Sequence, residues 1–373
     1  MVEWKKLGEI EDAGVLTLGR GQVISKKDMR DCPGEYPVYS SSSQGDGEIG
    51  RYGRYMFDDE RITWSIDGGG KLFYRNHLKY SVTNVCGWLR VNKAEIINTR
   101  FLYYLLFNQW SNIEFNYNHK AHPSIIRNEY LIPIIPLSEQ TRIVGILDTF
   151  TASIDNLKEQ IAERRKQYEH YRDRLLDLEG KENNIISWGD VCEMIKGNGV
   201  QKIDFVEKGK GCIHYGQIYT HYGPYTYSTN KFISEEVFEK AKKASTGDLI
   251  MTDTSENVED ICKTVAYLGK EDIAVSNHAL IIKHKQNPKY LSFSTQTNSF
   301  LTQKRKVVVG VKVSGIKPEH LAQIKIYLPS IEEQSRIVSI LDTFESSIQN
   351  LEAQLKEREK QYEYYRNKLL TFE

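Results

Sequence analysis

The sequence predicts an α+β chain in which two globular mixed α/β domains are each followed by one long coiled-coil helix, the whole arising by internal duplication. Three observations carry that prediction. RIVGILDTF at residues 142–150 returns as RIVSILDTF at 336–344, and residues 139–176 laid on 333–370 without a gap give 25 identities in 38 positions. Both copies place apolar residues at alternating steps of three and four, with no glycine or proline beyond Gly145, which is the pattern of a paired helix. The stretches between the copies hold short β-rich runs broken by Gly, Ser, Asn and Asp clusters. Residues 1–136 and 181–329 are therefore the two globular domains, and 137–180 and 330–373 the two long-helix spacers.

The first domain opens on Trp4-Leu7-Ile10, a short apolar pattern followed by a glycine pair in GRG (19–21). YMF, RITWSI and NVCGWLRV read as strands, FLYYLLFNQW as a helix and IPII as a closing strand. The first spacer carries its seam at Leu147, Phe150, Ile154, Leu157, Ile161, Arg164, Tyr168, Tyr171, Leu175 and Leu178. The short polar KENNIIS (181–187) is the hinge between the halves. The second domain repeats the plan faintly. Trp188-Val191-Ile195 stands for Trp4-Leu7-Ile10 and GNG (197–199) for GRG; DLIMT and ALIIKH are strands, KYLSFSTQTNSF is helical and IKIYLP closes. The second seam runs Leu341, Phe344, Ile348, Leu351, Leu355, Arg358, Tyr362, Tyr365, Leu369 and Phe372. Ser330 with Glu333 forms a capping box after Pro329, and Ser138 after Pro136 is the weaker N-cap expected for the first helix. One basic residue lies inside each seam, Arg164 and Arg358. Either its stem packs while its head reaches water, or it sets register or meets a partner's acid.

With 373 residues, 40% hydrophobic and 27% charged, the chain is long enough for two or three domains with cores of their own. No run of 18 apolar residues occurs, and MVEWKKLGEI lacks the apolar core of a signal peptide, so a cytoplasmic protein without membrane attachment is expected. The five cysteines are scattered and never form C-x-x-C, which fits reduced thiols rather than disulfides or zinc. Net charge is zero, yet the globular domains hold 17 basic against 16 acidic residues and 20 against 16, while the spacers hold 7 against 9 and 6 against 9. Phosphate binding needs a local basic face and not a basic total, so nucleic acid stays open as a partner.

No catalytic, cofactor or metal set emerges. GGGKL (68–72) misses both the spacing and the hydroxyl of a phosphate-binding loop, and NPKY (287–290), lacking a second proline and a glycine-rich loop upstream, reads as a turn. His214 and His278 have no Ser, Cys or acid at a telling spacing, so hydrogen-bonded structural roles are expected. The domains do offer loop chemistry suited to reading bases. Ser41, Ser42, Ser43, Gln44, Arg51 and Tyr52 lie in YSSSSQGDGEIGRYG; Lys71 and Arg75 in SIDGGGKLFYRN; Asn118 and Lys120 in NYNHKAH. In the second domain the candidates are His214, Tyr215, Gln217, Tyr219, Thr220 and Tyr222, then Thr254 and Ser255, then Lys304 and Arg305. Arg and Lys bond guanine edges, Asn and Gln bond adenine, and Ser, Thr and backbone amides hold phosphates.

The order of parts together with IPLSEQTRIVGILDTF, ERRKQYEHYRDRLL, LPSIEEQSRIVSILDTF and EREKQYEYYRNKLL resembles the specificity subunit of type I restriction-modification systems. ITWSIDGGGKLFYRN, CIHYGQIYTHYG and TSENVEDICKTVAYLG resemble its domains, and the likeness spans nearly the whole chain. The resemblance implies two target recognition domains on two antiparallel helices, a pseudo-twofold body, and a non-catalytic subunit that reads a bipartite asymmetric site on double-stranded DNA. It also implies two modification subunits that bring S-adenosylmethionine and methylate adenine, and restriction subunits that bring ATP, magnesium and cleavage. A targeting subunit of a fused restriction-methyltransferase system, or a coiled-coil scaffold with protein-binding heads, is the alternative.

Overall fold

The computed structural model describes residues 2–42, 45–76, 78–308 and 314–372. It divides into two compact units, Met1–Lys158 with Ala353–Glu373, and Glu159–Glu352. Each unit holds one globular domain, the near half of the helix that follows it and the far end of the other helix.

In the first unit an antiparallel sheet runs in the order Leu16–Arg20, Cys86–Val91, Arg61–Ser65, Leu72–Arg75. Arg61–Ser65 is flanked on both sides and buried along its whole length. The helix Thr99–Trp110 packs Phe101, Leu102, Leu105 and Leu106 onto Ile62, Trp64 and Leu89 of this sheet. Asn98 starts that helix by accepting from the Phe101 amide. A second sheet joins Glu48–Tyr52, Tyr36–Tyr39 and Ser81–Val82, the last pair parallel. A small sheet of Glu3–Lys6 with Leu131–Ile134 closes the domain.

The second unit repeats the plan. Its main sheet runs Glu193–Lys196, Ala279–Lys283, Leu249–Thr252, Thr264–Tyr267, with Tyr225–Thr226 added at the edge. Lys210–Ile213 lies parallel to Ile273–Val275 in a second sheet, and Ile185–Ser187 pairs with Lys325–Tyr327. The duplication therefore extends through both domains, and the class is α+β.

Several local expectations are corrected. YMF is not a strand: only Phe57 pairs, in an isolated bridge with Tyr80. KYLSFSTQTNSF is two helices, Pro288–Ser294 and Asn298–Val307, because Thr297 caps the second and the intervening turn cannot continue the first. NPKY opens the former of these, with Asn287 as its N-cap. Residues 185–187 of the expected hinge are a strand of the second domain. Trp188 matches Leu7 and not Trp4: the amides of Leu7 and Trp188 donate to Tyr130 and Ile324 of the closing segments, and both follow the first strand directly. Gly21 and Gly197 are the matching glycines, since a Cβ on either would collide with the carbonyls of Val82 or of Val275 and Ser276.

The long helices are Leu137–Leu176 and Ile331–Leu369. Ser330 accepts from the Glu333 amide as expected, while the Glu333 carboxylate turns to Arg336. Ser138 is not the first helix's cap: the amides of Glu139 and Gln140 return to the Pro136 carbonyl, because PLSEQ is one residue short of PSIEEQ. Within the first unit Phe150 stacks on Tyr365 at 5.2 Å and Lys158 reaches Glu359; within the second, Arg165 meets Glu352, Tyr168 meets Glu345, and Tyr171 stacks on Phe344 at 5.4 Å. Numbers rise along one helix as they fall along the other, so the pairing is antiparallel. The seam is buried at Leu147, Ile154, Ile161 and Leu341, and half-buried at Phe150, Leu157, Tyr168, Phe344, Ile348, Leu351, Leu355 and Tyr362. The seam arginines do more than reach water. Arg358 covers the Phe150 ring at 5.7 Å and Arg164 the Phe344 ring at 5.9 Å, so each unit repeats one Arg–Phe–Tyr stack.

Candidate nucleic-acid interface

Three segments converge in each domain, and they carry its candidate residues except Arg51, Tyr52 and Arg75, which lie on strands of the first domain, and Lys304 and Arg305, which lie on the helix Asn298–Val307 of the second. The first segment follows the central strand of the parallel pair. In the first unit Ser40 bonds Thr83 at 2.8 Å; in the second the Tyr215 amide donates to Ser276 at 2.8 Å, and Thr83 and Ser276 occupy matching places after Val82 and Val275. The second segment is the hairpin at the end of the buried central strand, joining Trp64 to Leu72 and Met251 to Thr264. The third precedes a short proline-headed helix, Pro123–Glu129 or Pro318–Leu321; the amides of Ala121 and Ile316 donate back to Ile66 and Asp253 of the hairpin.

In the first unit Asp67, at the hairpin, binds the other two segments. Its amide donates to Ser41 Oγ at 2.7 Å, and its carboxylate holds Lys120 at 2.9 Å, which raises the lysine's pKa. Lys71 reaches the Gly45 carbonyl at 3.4 Å. Ser41, Ser42, Lys71 and Lys120 thus share one loop cluster, together with exposed Asn118. Ser43 and Gln44 lie outside the described residues. Arg51 stands aside, forked onto Glu48 and bonded to the Glu35 carbonyl, beside half-buried Tyr52. Arg75 is corrected: it is buried, its guanidinium lies 3.5 Å from the Tyr39 ring centre, and it donates to Thr63 and to the Asp46 carbonyl. It supports the loop from beneath.

In the second unit the first segment is a helix, Tyr215–Thr220, with His214 as its cap. The Tyr219 hydroxyl donates to the Thr254 carbonyl, Lys263 donates to the Tyr219 carbonyl at 3.0 Å, and Thr254–Ser255 pairs with Ser314–Gly315. Tyr215, Tyr219, Thr220, Thr254 and Ser255 therefore gather as their counterparts do. The Tyr215 ring also meets the exposed His278, which takes a positive φ of 65°.

Four candidates of the second domain turn inward. His214 is buried, its Nδ1 accepts from the Gly216 amide, and burial lowers its pKa so that the neutral ring is favoured. Gln217 accepts from the His214 amide and donates to Asn230, and Tyr222 donates to Asn230 at 3.0 Å. Lys304 is 1% exposed and spends its ammonium on the carbonyls of Glu259 and Ile261. Those bonds consume the polar groups a base edge would need. Arg305 is exposed and ion-paired with Glu259 at 2.9 Å.

Sequence reasoning missed the anchors. Asp67, Asn230 and Lys263 gave no signal beyond being polar. Tyr117, 86% exposed with Lys120 over its ring at 5.0 Å, lies in NYNHKAH beside the candidates Asn118 and Lys120. The domain–helix joints were missed as well. Gln140 accepts from the Asn98 amide and donates to the Ile96 and Ile135 carbonyls; Gln334 accepts from the Asn287 amide and donates to Gln286 and the Pro329 carbonyl. Beside them Arg100 pairs with Asp148, and Lys289 with Asp342.

A family model for the type I restriction modification DNA specificity domain matches residues 1–164 and again 180–359. The chain belongs to that family. A relative named as a type I specificity subunit of Mycoplasma pneumoniae is 27% identical, with 96% of each chain covered. Another, named as a type I restriction enzyme specificity subunit of Haemophilus influenzae, is 28% identical over 100% of this chain and 96% of its own. The crystal structure of a type I restriction-modification S subunit from M. genitalium superposes with a TM-score of 0.60 at 14% identity, covering 100% of this chain and 97% of that one, which establishes the shared fold. The protein is thus a DNA-specificity subunit, and in type I systems the enzymatic activities reside in other subunits. Each match begins at a globular domain and runs into the helix behind it, so the specificity domain is the domain-plus-helix unit that the sequence duplicates. Among the described residues no helix is long and apolar enough to cross a membrane.

Proposed function

We propose that each specificity domain reads one half of a bipartite, asymmetric double-stranded DNA target through its three convergent segments, and that the paired helices fix the spacing of the halves. The observation that carries this reading is the convergence itself. Two domains with dissimilar loop sequences join the same three segments, by Ser41–Asp67–Lys120 in one and Tyr219–Thr254–Gly315 in the other. A shared frame with divergent loops is what separate half-sites require, whereas a symmetric dimer reads two identical ones. Two modification subunits dock on the helices and supply S-adenosylmethionine for adenine methylation; restriction subunits supply ATP- and magnesium-dependent translocation and cleavage.

Salt-dependent binding tests the reading. The purified chain should bind DNA fragments that contain its target with log K falling linearly in log salt, by about 0.9 per phosphate contact. Lys71→Ala and Lys120→Ala should each make that slope shallower by about one unit. Affinity indifferent to salt, and unchanged in both variants, would favour a protein-binding scaffold.

A further inference from the structure

Among the described residues the three most exposed large apolar side chains are Ile203 at 89%, Tyr117 at 86% and Val23 at 77%. All three lie at the convergent end of a specificity domain. Tyr117 belongs to the third segment. Val23 and Ile203 occupy a fourth, the connection that leaves the main sheet at Gly21 or Gly197, and they do so independently in the two domains. The root of each connection is pressed onto the strand that supports the first segment. A Cβ on Gly21 would stand 1.9 Å from the Val82 carbonyl oxygen, and one on Gly197 2.4 Å from that of Ser276. Gln22 bridges Thr83, the residue that bonds Ser40, and the Phe205 ring meets the His214 ring at 5.8 Å.

Both tips are held rigid. Behind Val23, the Ser25 hydroxyl accepts from the Asp28 amide at 3.1 Å while Asp28 accepts from the Ser25 amide at 2.7 Å. Around Ile203, Asp204 accepts from the Gln201 amide at 2.7 Å. Lysines flank them: Lys26 and Lys27 follow Val23, and Lys202 precedes Ile203. A single exposed aliphatic is ordinary, but a fixed one in the same connection of both domains, set among cations at the edge of the candidate DNA face, calls for an apolar partner on DNA. The major groove offers one that carries sequence information, the thymine C5-methyl group.

We propose that Val23 and Ile203 are specificity-determining residues, each packing against the methyl group of one thymine in the half-site its own domain reads. This rests on the DNA-reading function proposed above. The test uses the full chain and duplexes of its mapped target in which each thymine in turn is replaced by uracil, which removes the methyl and keeps every hydrogen-bonding group. Wild-type binding should weaken about fourfold at one thymine in each half-site, the worth of one buried methyl-sized contact. Ile203→Ala should lower affinity by a similar factor and abolish the uracil penalty in the second domain's half-site alone; Val23→Ala should do the same in the other half. Circular dichroism unchanged from wild type keeps either loss from being one of folding. The proposal is overturned if every uracil substitution is tolerated, if both alanine variants bind like wild type, or if they bind weakly while the uracil penalty persists, the mark of a wedge indifferent to base. Wild-type chain that fails to bind DNA in a salt-dependent way would instead remove the underlying function.

Discussion

Replacing Gln334 by Ala should unlock the second domain from its helix, and the size of the effect follows from three bonds. The Gln334 side chain is fully buried. It accepts from the Asn287 amide at 3.0 Å and donates to Gln286 Oε1 at 2.9 Å and to the Pro329 carbonyl at 2.9 Å. Each bond contributes about 1 kcal/mol net, and the Asn287 amide and Pro329 carbonyl would be stranded away from water, so a loss of about 3 kcal/mol is expected. Gln140→Ala should cost as much in the first unit, where all three partners of the side chain are backbone groups, at 2.9, 2.9 and 3.0 Å. Because the chain divides into two compact units, global unfolding need not be two-state. Amide hydrogen exchange read by mass spectrometry is the better assay. Protection around Asn287 should fall by about two orders of magnitude in Gln334→Ala and stay at the wild-type level around Asn98, with the reverse in Gln140→Ala. Unchanged protection in both variants, or equal loss in both units from either one, would refute the idea that these glutamines are separate joints.

Glu345 supplies a pH test. Burial, followed by the neighbouring Asp342, pushes its pKa from 4.5 to about 7, while the Tyr168 hydroxyl lies 3.4 Å away. The folded state therefore holds a proton that the unfolded chain releases. The stability this adds is complete below about pH 4.5 and is lost as pH rises through 7, a change of about 3 kcal/mol. Glu345→Gln should flatten the dependence and be more stable than wild type at pH 8; equal stability at both ends of the range would contradict it. In the helices, replacing both Leu157 and Leu351 by Asp should break the seam at a cost of several kcal/mol, seen as a lowered melting temperature, and an unchanged melting curve would refute the pairing. A heptad duplicated between Leu157 and Tyr168 adds about 10 Å, close to three base-pair steps of roughly 3.4 Å, and keeps the seam in phase. Mapping of methylated sites should then show a longer gap between intact half-sites. An insertion of two residues should abolish assembly.

The helices were legible because a duplicated heptad leaves its period in every turn. The Arg–Phe–Tyr stacks were half legible: the seam named all six residues, but it is the antiparallel alignment, which the heptad period does not encode, that brings Arg358 to Phe150 and Arg164 to Phe344. Within the domains strands could be found and their order could not, since the parallel pairing of Val38 with Ser81 joins residues 43 positions apart. The candidate loops stood out as polar and glycine-rich, yet whether each side chain faces in or out is set by contacts the loop itself does not encode. Arg75 turns inward because Tyr39, from another strand, offers its ring. Lys304 could have been placed: it lies four residues after buried Phe300 on one helix, and positions so spaced share a face. Trp188 misled because its likeness to Trp4 is one of residue type, whereas the correspondence is one of hydrogen bonding to the residue just before the closing strand, Tyr130 or Ile324.

Two separately readable half-sites are tested most directly by exchanging residues 1–136 for the matching domain of a relative and mapping methylated positions in a genome, with the modification subunit co-expressed. One half of the target should change to the relative's, while the other half and the gap remain those of the parent. A change in both halves, or in neither with methylation intact, would contradict the claim that each domain reads its own half.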